Sequence, residues 1–526
     1  MLKFVVVFWA LVGASVLGAG QANDSYQIYV QKECSFTRYP SICVQTMMGS
    51  GLGHEQQHVD IMLALANKTI SETMLATSKF VNFSSQFKLG GELGAREAQR
   101  VHSVKDYYCE ELMNMSLKRL DQSLLALKQS PRKNKHDIQA WLSAALTFQD
   151  TCKDYASGQI SKRIDNASQL VSNLLALVNR ITSYHTTTVT NHRSVDQGLF
   201  AKWVSQRDRK LLQATTIKAD AVVAKDGSGD YKTVSEAVNA ASGGRFVIYV
   251  KAGVYEEKIH TKKDGITLIG DGKYSTIITG DDSVAKGASM PGSATFTVTG
   301  DGFIARDIGF QNTAGPQGEQ ALALYISSDR SVLYRCSIVG YQDTLYAYAL
   351  RQFYRECDIY GTIDFIFGNA AAVFQSCDLV LRRHKGYNAI LANGRSDPGQ
   401  KTGFSVQNCR IIPSSDFSPV KHSYSSYLGR PWKQYSRAIV MESTIDDVIA
   451  PQGWVEWPGA GGSSLKTLYF AEYANGGPGA GLGKRVQWPG FHVIGADEAV
   501  EFTVSNFIAG TSWLPSTGVT FVSGLH

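Results

Sequence analysis

Beyond its first 22 residues the 526-residue chain holds no apolar run long enough to cross a bilayer. Only a leader or an anchor at the start is therefore a candidate for a membrane-crossing helix. There is no C-x-x-C pair, and the 11 histidines do not cluster. The eight cysteines thus read as disulfides or buried thiols rather than a zinc site, and no metal or cofactor is expected. No G-x-S-x-G elbow occurs, which removes the usual signature of a serine esterase. The arginines form no stripe interleaved with aromatics, so the net charge of +6 does not point to a nucleic-acid partner. Proline is nearly missing from residues 25–182, with only Pro40 and Pro131. From about residue 219 onward, helix-length apolar periodicity is what is missing.

What is present divides along the same line. Residues 1–22 begin Met1-Leu2-Lys3, continue apolar and end in small residues up to Ala22; this reads as a signal peptide, which leaves no membrane segment in the mature chain. All five N-x-S/T sequons, at Asn23, Asn67, Asn82, Asn114 and Asn166, lie before residue 170 and are candidate glycan acceptors. Residues 1–212 carry 24 Lys/Arg against 17 Asp/Glu, and residues 213–526 carry 28 against 29. The basic surplus therefore belongs to the first half, as solvated helix faces. Residues 25–182 repeat apolar side chains at three- and four-residue spacing, as in Ile61-Met62-Leu65-Ala66 and Leu117-Leu120-Leu124, which predicts an all-α four-helix bundle. Cys34 and Cys43 are spaced for a local staple around Pro40, and Cys109 and Cys152 for a bond between longer helices. Residues 183–212 lose periodicity and end in the basic run Arg207-Asp208-Arg209-Lys210-Leu211-Leu212, a linker where a processing protease would cut.

From residue 213 to 526 short strands alternate with Gly, Asp and Asn turns, as in Phe246–Val250 and Ile266–Gly270. A cadence recurs at Arg306, Cys336, Cys357, Cys377, Cys409 and Ser443, each two residues before an aliphatic, with gaps of 30, 21, 20, 32 and 34. Repeats of that size fit the coils of a parallel β-helix with insertions of varying length. The tail around Val500–Phe507 is expected to cover an end of the solenoid. Asp343 and Asp364 follow the first two cysteines by the same seven residues. Stacked at the strand spacing of about 4.8 Å, they would be two carboxylates on one face. One would be held protonated as an acid and the other anionic, as nucleophile or base. The same spacing lies within the Cα separation of roughly 4.4–6.8 Å that a disulfide needs, so either Cys336–Cys357 or Cys357–Cys377 could close.

Two resemblances then emerge. The stretch from Cys34 to Cys43, CSFTRYPSIC, followed by a bundle, resembles the plant invertase and pectin methylesterase inhibitor family, which implies the pairings Cys34–Cys43 and Cys109–Cys152. Four motifs stand in order in the second half: Gly253-Val254-Tyr255-Glu256-Glu257, Tyr341-Gln342-Asp343-Thr344-Leu345-Tyr346, Gly361-Thr362-Ile363-Asp364-Phe365-Ile366-Phe367-Gly368 and Leu428-Gly429-Arg430-Pro431-Trp432. Together they resemble the pectin methylesterase family of right-handed parallel β-helices, in the plant form that carries an inhibitor-like pro-region.

The resemblance implies a secreted, cell-wall enzyme acting on methylated homogalacturonan, with a restraining pro-region and possible inhibition by a separate bundle of the same kind. It makes Asp364 the nucleophile and Asp343 the acid and then the base. Gln342 and Gln320 become oxyanion donors, Arg430 the partner of Asp364, and Trp432 a face for a sugar ring. It also assigns the disulfide to Cys357–Cys377. In one place the chain departs from the pattern: Met290 stands where many relatives carry a substrate-contacting Thr, five residues before Thr295. Two rival classes remain open to test. A galacturonan lyase or glycosidase would cut the polymer, and a non-catalytic wall-binding solenoid would release no methanol.

Overall fold

In a computed structural model the chain is described over residues 26–49, 58–86, 95–156, 158–182, 218–459 and 462–526, with backbone alone for 79–86 and 95–107. The expected signal peptide, Asn23 and the basic run at Arg209-Lys210-Leu211-Leu212 lie outside the described residues. So does the side chain of Asn82. The described chain falls into two compact units, 26–182 and 218–526. Among the described residues no helix is long and apolar enough to cross a membrane.

In the first unit the three- and four-residue spacing becomes four long helices, His58–Gln86, Ala95–Gln129, Lys135–Tyr155 and Gly158–Asn179, each packed against two of the others. Leu65, Leu120, Leu142, Leu174 and Val178 meet in the core, where each fully buried aliphatic contributes about 1.5–3 kcal/mol. Among the polar groups inside, Gln149 Nε2 donates to Thr73 Oγ1 at 3.2 Å and to Ser116 Oγ at 3.1 Å. Asn173 clamps both backbone groups of Tyr39 just ahead of the short helix Pro40–Met48. Cys34–Cys43 and Cys109–Cys152 are bonded. Asn67, Asn114 and Asn166 are exposed on helix surfaces.

The second unit is a parallel β-helix. All its sheet pairings are parallel, in sheets of eleven, eight and seven strands. One coil shows the plan. Strand Arg351–Arg355 belongs to the eleven-stranded sheet. Glu356 turns the corner with φ 53°, Asp358–Gly361 joins the eight-stranded sheet, and Ile363–Gly368 joins the seven-stranded sheet. The same left-handed corner recurs at Asp307, Arg335, Ser376, Asn408 and Glu442. Inward residues Ile338, Ile359, Leu379 and Ile411 stack in one interior row.

Three expectations are corrected here. The first member of the cadence is out of register by two: Tyr334 pairs with Arg306, which aligns Cys336 with Ile308 rather than with Arg306. Ile308 and Phe310 are both fully buried, so a period-two pattern does not mark a slip of two residues. The Cys357–Cys377 bond is not formed, and Cys336, Cys357, Cys377 and Cys409 are all buried thiols. Each sulfur is satisfied by a backbone carbonyl two residues back, as from Cys357 to Arg355 at 3.4 Å and from Cys409 to Gln407 at 3.3 Å. The tail does not cap an end. Val504, Ile508, Trp513 and Leu514 lie against Ile304, Val332, Phe353 and Val373 on the outer face of the eleven-stranded sheet.

The first coil is covered instead by the helix Val234–Ala240, which sends Val234, Ala237 and Val238 into the interior core. Thr233 and Glu236 form a capping box at its start, satisfying otherwise orphaned amides. The Glu257 carboxylate accepts from the Val234 and Ser235 amides at 2.8 Å each. The acidic end of the GVYEE motif is thereby used in fastening this cover.

Candidate active site

Asp343 and Asp364 occupy the corner between the eight- and seven-stranded sheets on consecutive coils. Two residues further on, Leu345 pairs with Ile366 and Tyr346 with Phe367, so the 21-residue offset is the structural register. Both aspartates adopt left-handed backbone, φ 59° and 50°, which Asp tolerates better than most residues. Asp364 also sits in a bulge, since Ile363 pairs with Ala389 while Ile366 pairs with Leu391. Such a bulge re-aims a side chain. Arg430 comes from the strand Ser426–Pro431, two strands along the seven-stranded sheet. Its Nε and Nη2 donate to the two Asp364 oxygens at 2.8 and 2.6 Å. The residues Asp343, Asp364 and Arg430 are 8%, 5% and 9% exposed, so a two-toothed ion pair and a lone carboxyl share a nearly dry corner.

The other expected residues gather around it. Gln320 and Gln342 form a parallel bridge on adjacent coils next to Asp343, and both are half-buried. The outer face of the seven-stranded sheet carries the lateral row Tyr325, Tyr346, Phe367, Ala392, Arg430. Tyr346 and Phe367 are stacked with centroids 4.3 Å apart. Trp432 meets Phe367 edge-on at 6.0 Å, extending this apolar floor. It needs a glycine beside it, because a Cβ on Gly394 would lie 2.8 Å from the indole.

The pectinesterase family model matches residues 220–511, and that of the plant invertase/pectin methylesterase inhibitor matches residues 29–177. A probable pectinesterase/pectinesterase inhibitor 54 of Arabidopsis thaliana is 50% identical over 521 residues, 95% of this chain and 94% of its own. Pectinesterase 2 of Citrus sinensis is 49% identical over 79% of this chain and 81% of its own. Among solved structures, pectin methylesterase from carrot is 51% identical, with a TM-score of 0.58, covering 59% of this chain and all of its own. The chain belongs to the pectinesterase family. It is a carboxylic ester hydrolase with an inhibitor-like helical domain ahead of the esterase.

In this pectinesterase the two carboxyls are made unequal by their partners. Burial pushes Asp343 well above the usual carboxylate range, and the charge of Asp364 pushes the same way, with Arg430 opposing only from a distance. Burial raises Asp364 too, but the Arg430 hydrogen bonds and charge pull it back. Asp343 therefore holds its proton to higher pH than Asp364, which is the one stabilised in its charged form by Arg430. The sign for stability follows. A carboxyl whose folded pKa is raised binds its proton more tightly folded than unfolded, so it destabilises the fold as pH climbs above the usual carboxylate range. Asp343→Asn is thus expected to melt at a higher temperature than the parent at pH 7. That gap should narrow as pH falls towards about 3, below the usual Asp value of about 3.9, where the carboxyl is largely protonated in both states. Thermal melts at the two pH values check this, and an equal or lower melting temperature at pH 7 would contradict it.

Two residues at the pectinesterase site escaped the sequence reading. Tyr387 Oη accepts from Arg430 Nη1, and the Trp457 ring lies under the guanidinium, 4.1 Å from its centroid. With Asp364 on its other edge, Arg430 is held on three sides. Neither residue belongs to a motif at a readable spacing, and only the meeting of distant coils brings them here. Met290 is half-buried ahead of the turn Pro291–Ser293.

Proposed function

We propose that the chain hydrolyses galacturonate methyl esters in homogalacturonan through an aspartyl acyl-enzyme. The observation that carries this reading is that Arg430 is bidentate to Asp364 alone while its stacked neighbour Asp343 has none of those bonds. An Asp364 oxygen attacks the ester carbonyl, and the developing oxyanion is met by the side-chain amides of Gln320 and Gln342. Asp343 gives its proton to the departing methoxide, which leaves as methanol as the C–OMe bond breaks, and the galacturonyl carbonyl stays bonded to Asp364 as a mixed anhydride. The Asp343 carboxylate then takes a proton from water as that water attacks the anhydride, restoring Asp364 and leaving a galacturonate. Trp432 and the Phe367 row offer the sugar an apolar face.

The test is methanol release from methylated pectin with no shortening of the polymer. Shortening would favour a lyase or glycosidase, and no methanol would favour a wall-binding solenoid. Asp343→Asn should lower turnover by about 10²–10⁴-fold, the usual range for a lost proton carrier, read from methanol release at saturating pectin.

We further propose a wall-directed, secreted precursor whose bundle restrains the esterase and is cut near Arg209-Lys210-Leu211-Leu212, with glycans on the exposed sequon asparagines of the bundle; the relatives' paired names support only the joining of an inhibitor-like bundle to an esterase in one chain. The cut form should then release methanol faster than the uncut chain. Equal specific activities would remove the restraint from this reading, though not the esterase.

A further inference from the structure

The mechanism uses the seven-stranded face, but the outer face of the eight-stranded sheet has a feature it leaves unused. A groove of about 610 Å³ opens there over the first three coils. Its floor is the lateral row Glu256, Thr279, Gln311, residues paired directly across neighbouring strands. Thr279 is only 7% exposed, and its hydroxyl has no partner. The same row continues through Val339 to Tyr360. Four strand steps from Glu256 to Tyr360 make a track of about 19 Å. It ends on the coil that carries Asp364.

An aromatic platform stands at that far end. The loop Asp271–Ser275 crosses the sheet and is received by Ser337, whose Oγ donates to Lys273 O at 2.6 Å. Gly309 beneath it has no room for a side chain, since a Cβ would lie 2.6 Å from the same carbonyl. Tyr274 at the loop tip is tied by its hydroxyl to Asp358 and to Tyr360 Oη at 3.1 Å, yet the residue stays 54% exposed. A half-exposed tyrosine fixed at its polar end is preorganised for stacking on a pyranose, and Lys273, whose Nζ lies 5.7 Å from the ring centroid, is already paired with Asp358.

The electrostatics choose the sugar. Glu256, Glu257, Asp281 and Asp282 line the groove against the single cation Lys258. Glu257 is spent on backbone amides, and the two aspartates hold Lys286 and Lys258. With Lys258, Lys286 and Lys225, whose Nζ donates to Val254 O at the rim, set against the four carboxylates, one negative charge remains in excess, which disfavours a polyanion. We propose that this track is a second binding site for pectin, separate from the catalytic corner, and that it takes stretches of methyl-esterified, uncharged galacturonan in preference to the demethylated product. The inference rests on the esterase reading for its ligand. It would keep the enzyme on polymer that still bears esters.

The test uses the full chain carrying Asp364→Asn, so that bound polymer is not altered, in affinity electrophoresis through highly methylated homogalacturonan and through polygalacturonate. The parent should be retarded more by the methylated polymer. Adding Tyr274→Ala should weaken that retardation at least fivefold, while Tyr274→Phe, which keeps the ring, should retain most of it. In the otherwise unmodified chain, Tyr274→Ala should raise KM for long methylated pectin and leave kcat/KM for a methylated trimer unchanged. Glu256→Lys should strengthen retardation by polygalacturonate. Equal retardation by both polymers, or retardation indifferent to Tyr274→Ala, would overturn the proposal. Failure of the esterase reading would appear separately, as no methanol from the trimer, with the electrophoresis still readable.

Discussion

Asp364→Asn is expected to reduce methanol release at least a thousandfold, the scale on which loss of a nucleophile acts when its partners work as one unit. The amide cannot form the anhydride, and Asp343 does not stand in for it: it lies one coil away, outside the two-toothed grip of Arg430 that positions residue 364. The fold should survive, because the substitution keeps the volume and can still accept a hydrogen bond from Arg430. Methanol release checks the first statement and near-ultraviolet circular dichroism the second. A folded variant retaining more than a tenth of the parent rate would remove Asp364 from the nucleophile's role.

The second large effect is at Arg430. Truncating it to Ala leaves the Asp364 carboxylate, 5% exposed, without its counter-charge, a loss that costs about 3–5 kcal/mol for a buried pair. The protein relieves part of that by protonating Asp364. Since the guanidinium is what holds the Asp364 pKa down against burial, its removal moves that pKa upward. The nucleophile must be ionised, so the acid limb of the pH–rate profile should shift to higher pH, with turnover down about a hundredfold or more at neutral pH. Arg430→Lys keeps a charge but not the fork, and should recover part of the shift and little of the rate. A profile that falls uniformly, with its acid limb unmoved, would show that Arg430 does not set the ionisation of Asp364.

Much of this was legible along the chain because the relevant periods are short or regular. Bundle helices announce themselves by apolar spacing, as at Ile61, Met62 and Leu65. The coil length is written in the steps from Cys336 to Cys357 to Cys377. Even the helix over the first coil had a readable signal in Thr233-Val234-Ser235-Glu236, a capping-box sequence lost in a region of strands. Register was harder. The Arg306 position was placed two residues out because Ile308 and Phe310 both face the core, so the pattern reads equally well either way.

The sequence alone determined that two acids recur at one coil length, and that a helical unit precedes a solenoid, because backbone periodicity is a local property of residue order. The tertiary structure decided which acid is paired with a guanidinium. Arg430 lies 66 residues beyond Asp364, and only the winding of intervening coils of unequal length brings the two together. The fate of the four interior thiols, and of the tyrosine and tryptophan that brace the guanidinium, was settled the same way. Side-chain direction and burial depend on neighbours from other coils, and those neighbours are unknown until the chain has closed on itself.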